Sequence, residues 1–208
     1  MNRRSVLVGV LLLPAVLLTS CGGPARPGAA AVLGGERISL AAVQARAAEL
    51  RAAASGPSGD ADPSAGPEAG PEADGLARQA LSELVRDALV ARALTDRGLR
   101  VSAGEVAGAR AADQAVAGGA AQLGRVLARR GVPAEGIDAY YRQQAGIRRL
   151  AAAQGLDAGT EAGDAAVRRA LADAALALHV RVSPRYGRWD PQQVALLPDP
   201  PAGTALVR

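Results

Sequence analysis

Few side chains in this sequence have the chemistry for catalysis, and those few do not form a recognisable catalytic set. The 208 residues include one cysteine, Cys21, one histidine, His179, and no lysine. A Ser-His-Asp or Cys-His site would need His179, which lies in a strand-like pattern without a nucleophile motif nearby. A Ser-Lys dyad is impossible without lysine. We therefore predict no catalytic residues and expect the protein not to be an enzyme.

Patterns that bind metals, nucleotides or nucleic acids are not found either. Asp157, Glu161 and Asp164 form a loose acidic cluster, but they lack the spacing of a calcium loop, so solvated charge explains them better. No phosphate-binding glycine loop leads from a strand into a helix. The formal charge of +4 falls by 2, to +2, when Arg3 and Arg4 are removed, and no basic stripe alternates with aromatic residues. We expect no metal, cofactor, nucleotide or nucleic acid.

Cys21 has a different predicted chemistry, which is lipidation. Residues 1–20 are typical of a secretion leader, with paired arginines before an apolar run too short for a typical transmembrane helix. This run leads into Leu18-Thr19-Ser20-Cys21, which resembles the bacterial lipobox. We expect cleavage before Cys21 and acyl chains such as palmitate on the new terminus, which would anchor the chain on the extracytoplasmic face of the cell membrane. The alternative is an ordinary leader followed by a chance cysteine, and the export route, general secretory or twin-arginine, stays open.

A long apolar helix from Leu76 to Arg97 is the element around which the chain is organised. Its apolar residues wrap most of the way round, so we expect neighbours on more than one side. Gly98 suits the left-handed position after the last turn, and the charge of Arg97 suits the carbonyl end of the helix dipole. A second helix begins at once, because Ser102 and Glu105 have the spacing of a capping box.

Before this helix, the sequence predicts four segments. Residues 21–30 are rich in glycine and proline and indicate a flexible tether. Residues 31–38 favour a short strand that contains a Gly34-Gly35 turn or bulge, and residues 40–53 favour an amphipathic helix. Residues 55–75 combine prolines and glycines with only acidic charge, which predicts a disordered loop. An acidic recognition segment is the alternative for this loop.

After Ser102, the sequence predicts three further helices or helix segments and a closing strand. A helix to Arg130 has a candidate break at Gly118-Gly119, and Gly131 should end it. The remaining predicted elements are a helix over 134–154, a glycine-rich break at 155–163, a helix over 165–177, a half-buried strand over 178–182 and an irregular tail over 191–208.

Two groups of side chains in this half leave alternatives open. Arg142, Arg148 and Arg149 form either a solvated helix face or a patch for lipid headgroups or polypeptide clients. Trp189 either packs the terminal strand onto the domain or contacts a peptide.

The order of these motifs resembles the N-terminal domain of SurA-type and PrsA-type foldases, and small actinobacterial lipoproteins that carry this domain without a catalytic one. The residues that carry the resemblance are Gly34 to Ser39, Leu81-x-x-Leu84-Val85-x-x-Ala88-Leu89 with Ala93, Gly98 to Ser102 with Glu105-Val106, Gly131-Val132-Pro133-x-Glu135, and Val182 to Asp190. The foldases insert a parvulin domain after the helices, but too little chain follows Gly155 for one. His179 also cannot supply the paired histidines of a parvulin pocket, so isomerase activity is not carried over.

The resemblance implies a mainly α fold over residues 31–190, with a small two-stranded sheet that pairs the N- and C-terminal strands. It also implies an ATP-independent chaperone-type domain that holds segments of unfolded or secreted polypeptides. The candidate client-binding residues are Leu84, Leu89, Tyr140, Tyr141, Tyr186 and Trp189. The alternative is a non-catalytic cell-envelope scaffold that binds one specific protein through the 142–149 arginines or the Trp189 tail.

Overall fold

The structure, a computed structural model, describes residues 28–55 and 71–198, and these residues form six α-helices and five short strands. The predicted leader, Cys21 and most of the predicted acidic loop lie outside the described residues. The elements are β1 (Ala29–Leu33), β2 (Glu36–Ser39), α1 (Leu40–Ser55), α2 (Pro71–Asp96), α3 (Ala103–Ala117), α4 (Ala120–Arg129), α5 (Ile137–Ala152), α6 (Glu161–Ala177), β3 (Arg181–Val182), β4 (Arg188–Asp190) and β5 (Ala195–Leu197). The predicted mainly α fold is confirmed.

The N- and C-terminal strands pair as predicted, but the sheet has three strands. Its order is β2-β1-β3, and antiparallel β1–β3 pairing sets Ala31 opposite Val182. Of the predicted turn or bulge at Gly34-Gly35, the turn is confirmed, with φ +61° at Gly34. It divides the predicted strand over 31–38 into a hairpin of two antiparallel strands. A left-handed residue suits such a tight turn. β1 also begins at Ala29, inside the predicted tether.

The predicted irregular tail is also corrected within the described residues. Ala195–Leu197 pairs antiparallel with β4, with Trp189 opposite Leu196 and Arg188 opposite Leu197. Gly187 makes this pairing possible, since a Cβ at this position would lie 2.1 Å from the carbonyl oxygen of Leu197. The sequence pattern did not reveal this second small sheet, because each of its strands has only three residues.

Helix α2 is the centre of the fold and packs against α1, α5, α6 and β1. Its residues Leu81, Val85, Leu89 and Ala93 are buried in the main core, which confirms the expectation of neighbours on several sides. The helix begins at Pro71, five residues before the predicted start. A proline is tolerated in the first helical turn, because the N–H groups there have no acceptor within the helix. The 26 residues of α2 span about 39 Å.

The predicted boundary between α2 and α3 is confirmed in detail. The Gly98 N–H donates to the Thr95 carbonyl at 3.0 Å, and the Leu99 N–H to the Leu94 carbonyl at 2.9 Å, a pattern that satisfies the last carbonyls of a helix. Ser102 and Glu105 form the capping box, with N–H···O distances of 2.8 and 3.2 Å. The Ser102 N–H and hydroxyl both donate to Glu105 Oε2, and these two hydrogen bonds lower the pKa of the Glu105 carboxyl. Gly118 and Gly119 then separate α3 from α4.

The start of α6 differs from prediction, whereas its end at Ala177 is as predicted. The helix begins at Glu161, four residues early, because the Thr160 hydroxyl accepts the Gly163 N–H at 3.1 Å and caps it. A Cβ at Gly163 would lie 1.8 Å from the Asp157 carbonyl oxygen, so this glycine permits close approach rather than breaking the helix. At the other end His179 adopts φ +47° in the position usual for glycine. The predicted strand over 178–182 is therefore limited to Arg181–Val182.

A second, smaller core lies beside the main one, between α3, α4 and the start of α5. It contains the buried side chains of Val106, Leu123, Leu127, Val132 and Tyr141. Among the described residues, no helix is both long enough and apolar enough to cross a membrane.

Candidate functional site

A cleft of about 670 Å³ lies between α1, α2, the segment that joins α4 to α5, and the first turns of α5. Its apolar lining comes from small or partly buried side chains on all of these elements, namely Ala42, Ala45, Leu84, Val132, Ala139 and Tyr140. Its polar lining includes both signs of charge, with Arg46, Glu83 and Asp87 among the contributors. This volume lies within the range of ordinary ligand sites.

The structure brings together two of the six predicted client-binding residues, Leu84 and Tyr140, in this cleft. Three others are corrected to core positions, because Leu89, Tyr141 and Tyr186 are 0%, 2% and 5% exposed. Side chains with so little accessible surface cannot contact a client in this conformation. The sixth, Trp189, lies elsewhere, partly buried against the main core.

Tyr141 lies in the second core and packs against the cleft residue Tyr140. Its ring meets the ring of Tyr140 edge to face, with centroids 5.3 Å apart, and its hydroxyl donates to Asp113 Oδ2 at 2.7 Å. Burial, reinforced by this hydrogen bond, raises the pKa of Tyr141 to about 12. Tyr141 is therefore a fixed, neutral support for the Tyr140 ring.

An ion-pair network crosses the cleft from α1 to α2. Arg46 Nε and Nη2 both donate to Glu83 Oε2, at 2.8 and 2.7 Å, and Arg46 Nη1 donates to Glu49 at 3.0 Å. Gln79 Nε2 also donates to Glu83, at 3.2 Å. Burial lowers the pKa of Arg46, but the hydrogen bonds to the two glutamates outweigh it, and the net shift is upward. The network holds one side of the cleft in a defined shape.

A second polar link joins α2 to α5 across the cleft. The Gln143 amide donates to Asp87 Oδ1. Burial raises the pKa of the Asp87 carboxyl, although the hydrogen bond from Gln143 and the charge of Arg46 act in the opposite direction. Although Asp87 is exposed as a whole residue, its carboxyl is thus more easily protonated than that of an aspartate surrounded by water.

Two arginines contribute exposed positive charge to the lining. Arg86 and Arg130 are exposed and line the cleft, yet among the described residues neither side chain has an ion-pair or hydrogen-bond partner. They remain available to carboxylates or carbonyl groups that enter the cleft.

Sequence reasoning did not find the polar half of the cleft. The signal was present on α2, where Glu83, Arg86 and Asp87 lie opposite the apolar face. Their partner Arg46 lies 37 positions earlier than Glu83, and Gln143 lies 56 positions after Asp87, so the spacing within one helix could not reveal these contacts.

The C-terminal aromatics join the tail to α2 rather than line the cleft. Arg78 Nε donates to the Tyr186 carbonyl at 3.1 Å, and the Arg185 guanidinium lies 5.1 Å from the Tyr186 ring centroid. Trp189 packs against the main core, as its packing interpretation predicts. Its indole Nε1 is buried and finds no hydrogen-bond acceptor among the described residues.

The remaining candidate groups have structural explanations. Arg149 pairs with Glu105 at 2.5 Å, whereas Arg142 and Arg148 are exposed. Asp157 and Asp164 belong to the start of α6, where Asp157 Oδ1 accepts the Gly159 N–H at 2.7 Å. Within residues 28–55 and 71–198, no three His, Cys, Asp or Glu side chains form a group that could hold a metal ion.

Comparison with known protein families gives one match. The family model described as the SurA-like N-terminal domain matches residues 3–151, which is more than two thirds of the chain and ends at the last turn of α5. No curated protein and no solved structure matches the chain.

Proposed function

The chain belongs to the family of SurA-like N-terminal domains, and from this premise we propose that it is a lipid-anchored extracytoplasmic protein that holds segments of unfolded or secreted polypeptides without ATP. The domain is of the chaperone-like, foldase-related type. SurA N-terminal domains are non-catalytic modules that generally bind polypeptides. The binding site in this chain, the membrane anchor and the absence of enzymatic activity are parts of the proposal.

The observation that carries the proposal is the meeting of Leu84 and Tyr140 in one cleft. An extended polypeptide presents side chains for apolar contacts and a backbone whose N–H and C=O groups need partners. The cleft offers apolar surface from Leu84 and Tyr140, and hydrogen-bonding groups from Asp87 and Arg86 beside them. A peptide segment can therefore find both kinds of contact in one place.

Cys21 supplies the proposed anchor. The lipobox-like Leu18-Thr19-Ser20-Cys21 directly follows the apolar part of the leader, and a lipid with two or more acyl chains anchors a protein stably. Replacing Cys21 by Ser should release the protein from the membrane fraction. An unchanged membrane fraction would overturn the anchor without bearing on polypeptide binding.

The test of the holdase activity is light scattering of a denatured, aggregation-prone client diluted into buffer without ATP. The added protein is the chain from residue 22 onward, which retains every residue that the structure describes. We expect near-stoichiometric amounts to suppress scattering, and the double variant Leu84→Asn with Tyr140→Asn to lose most of this suppression.

The matched control is Val116→Asn with Leu176→Asn, because these apolar side chains are 91% and 63% exposed and lie outside the cleft. It should suppress scattering as the unaltered chain does. Equal loss in both double variants, with circular dichroism showing both folded, would contradict the assignment of the cleft.

A scaffold with one specific partner is the second candidate function. The ion pairs of Arg46 with Glu49 and Glu83 favour it. A fixed charged lining suits one defined partner better than many different hydrophobic polypeptides. Client breadth separates the two functions. Suppression of aggregation for several unrelated clients supports the holdase, whereas no suppression together with one protein captured from membranes supports the scaffold.

A further inference from the structure

The outer face of the three-stranded sheet carries two arginines in one cross-strand row. Val32 of β1 lies opposite Arg37 of β2 and opposite Arg181 of β3. Directly opposed residues in antiparallel strands share a face of the sheet. The two arginine backbones are therefore about 10 Å apart, on either side of Val32.

This row faces away from the helices. The neighbouring row, Ala31 with Ile38 and Val182, packs in or against the main core, and successive strand residues point to opposite faces. Both Arg37 and Arg181 are exposed, and Val32 is half-buried. The sheet thus presents one apolar side chain between two cations.

Neither arginine is neutralised by the part of the chain that the structure describes. Some partly exposed arginines of the described chain do take acidic partners, as Arg92 does with Asp96, Arg110 with Asp138 and Arg168 with Asp164. Arg37 and Arg181 have no ion-pair partner among the described residues. The charges of Arg37 and Arg181 are therefore available to anions from outside the molecule.

In the proposed function, on which this inference rests, the sheet is the first described element after the anchor on Cys21. The described chain begins at Gly28, seven positions after Cys21, and seven residues reach at most about 25 Å. A lipid on Cys21 would therefore keep this sheet within about 25 Å of the membrane. From there the sheet can reach the layer, about one Debye length deep, in which an anionic surface attracts arginine.

We propose that the outer face of the β2-β1-β3 sheet docks on an anionic membrane surface, with Arg37 and Arg181 binding the phosphate oxygens of lipid headgroups. This contact gives the tethered domain a preferred orientation. Each arginine near such a surface changes the equilibrium between contact and no contact about fivefold. The tether raises the effective concentration of the surface, so weak contacts are populated.

The experiment uses Cys21, the only cysteine of the chain, for attachment to vesicles that contain a maleimide lipid. The protein is the chain from Cys21 onward. The vesicles are either phosphatidylcholine alone or an equimolar mixture of phosphatidylcholine and phosphatidylglycerol. Phenylglyoxal modifies accessible arginines, and mass spectrometry reports the reactivity of each one.

We expect Arg37 and Arg181 to lose reactivity severalfold on the anionic vesicles only. Arg125 and Arg129, which are exposed on α4, serve as internal controls and should keep their reactivity. Raising the salt concentration should restore the reactivity of Arg37 and Arg181. Equal reactivity on both kinds of vesicle, or equal loss at all four arginines, would overturn the proposal.

Two double variants test the same contact by hydrogen exchange. Arg37→Gln with Arg181→Gln should remove most of the lipid-dependent protection of the neighbouring β2 amides from hydrogen exchange. Arg125→Gln with Arg129→Gln removes the same charge and should leave this protection unchanged. Equal effects of the two double variants would count against the sheet face. The maleimide lipid takes the place of any natural lipidation, and no client is present. A negative result therefore contradicts the contact between the sheet and the lipid surface, and leaves the proposed anchor and polypeptide binding untouched.

Discussion

The rings of Tyr140 and Tyr141 lie edge to face at an interplanar angle of 83°, one in the cleft and the other in the second core. Neighbouring residues on a helix point about 100° apart, so α5 can present one tyrosine to each environment. Tyr141 is fixed by its hydrogen bond to Asp113. The position of the Tyr140 ring in the cleft therefore depends on packing in the core behind it.

The first prediction concerns the Tyr141 hydroxyl. Tyr141→Phe leaves Asp113 without its donor, and we expect the free energy of unfolding to fall by about 1–2 kcal/mol, since hydrogen bonds to charged groups exceed the neutral average. Urea unfolding followed by circular dichroism measures this change. Tyr140→Phe, whose ring lies in the cleft, should change stability by less than half as much. Equal losses would contradict the assignment of Tyr141 as the support.

The second prediction concerns alkaline pH. The pKa of Tyr141 rises from 10.0 to about 12 on folding, so the folded state holds this proton more tightly than the unfolded state. Its contribution to stability is complete below pH 10 and is lost as the pH rises from 10 to about 12. Denaturation midpoints across this range should fall less steeply in Tyr141→Phe than in the unaltered chain. Parallel profiles would show that the tyrosine is not buried as described.

The third prediction concerns the contact between α2 and α5. A Cβ at Gly146 would lie 2.8 Å from Val90 Cγ1 and 3.2 Å from Leu94 Cδ1, and both neighbours are buried. We expect Gly146→Ala to lower the free energy of unfolding by about 1–3 kcal/mol, as overpacking of a core does, despite the better helix propensity of alanine.

Gly124 on α4 provides the control, because nothing lies within 4 Å of its would-be Cβ. Gly124→Ala should therefore raise stability by up to about 1 kcal/mol. Thermal unfolding of both variants checks the two signs. A stabilised Gly146→Ala would mean that α2 and α5 are less closely packed.

Helix ends were predictable because their signals are local. Gly98, the Ser102–Glu105 capping box and Gly131 act within a few residues, and each has its predicted geometry. The error at the start of α6 has a tertiary cause. Gly163 resembles a helix breaker in the sequence, but it is needed where the backbone of Asp157 approaches the helix.

The cleft could be predicted only in part for a related reason. Leu84 and Leu89 belong to one apolar pattern, yet they point about 140° apart around α2, so one lines the cleft and the other lies in the core. An apolar surface that wraps most of a helix does not reveal which side its neighbours leave open. The polar contacts depend on pairing α1 with α2 and α2 with α5, which no spacing within one helix encodes.

The last prediction concerns the Arg46–Glu83 pair, which joins two helices across the cleft. Its side chains are 22% and 31% exposed, against 43% and 64% for the Arg110–Asp138 pair on the surface. Solvent screening weakens exposed ion pairs, and two donor atoms of Arg46 converge on one oxygen of Glu83. We therefore expect a coupling free energy of about 1 kcal/mol for Arg46–Glu83. For Arg110–Asp138 we expect less than about 0.5 kcal/mol. Double-mutant cycles with Arg→Gln and Glu→Gln or Asp→Asn, measured by urea unfolding, give both values.

If the two couplings are equal, the network adds no special rigidity to the cleft. If only Arg46–Glu83 is coupled, breaking it should also weaken client binding, because the wall that faces Leu84 and Tyr140 would lose its fixed shape.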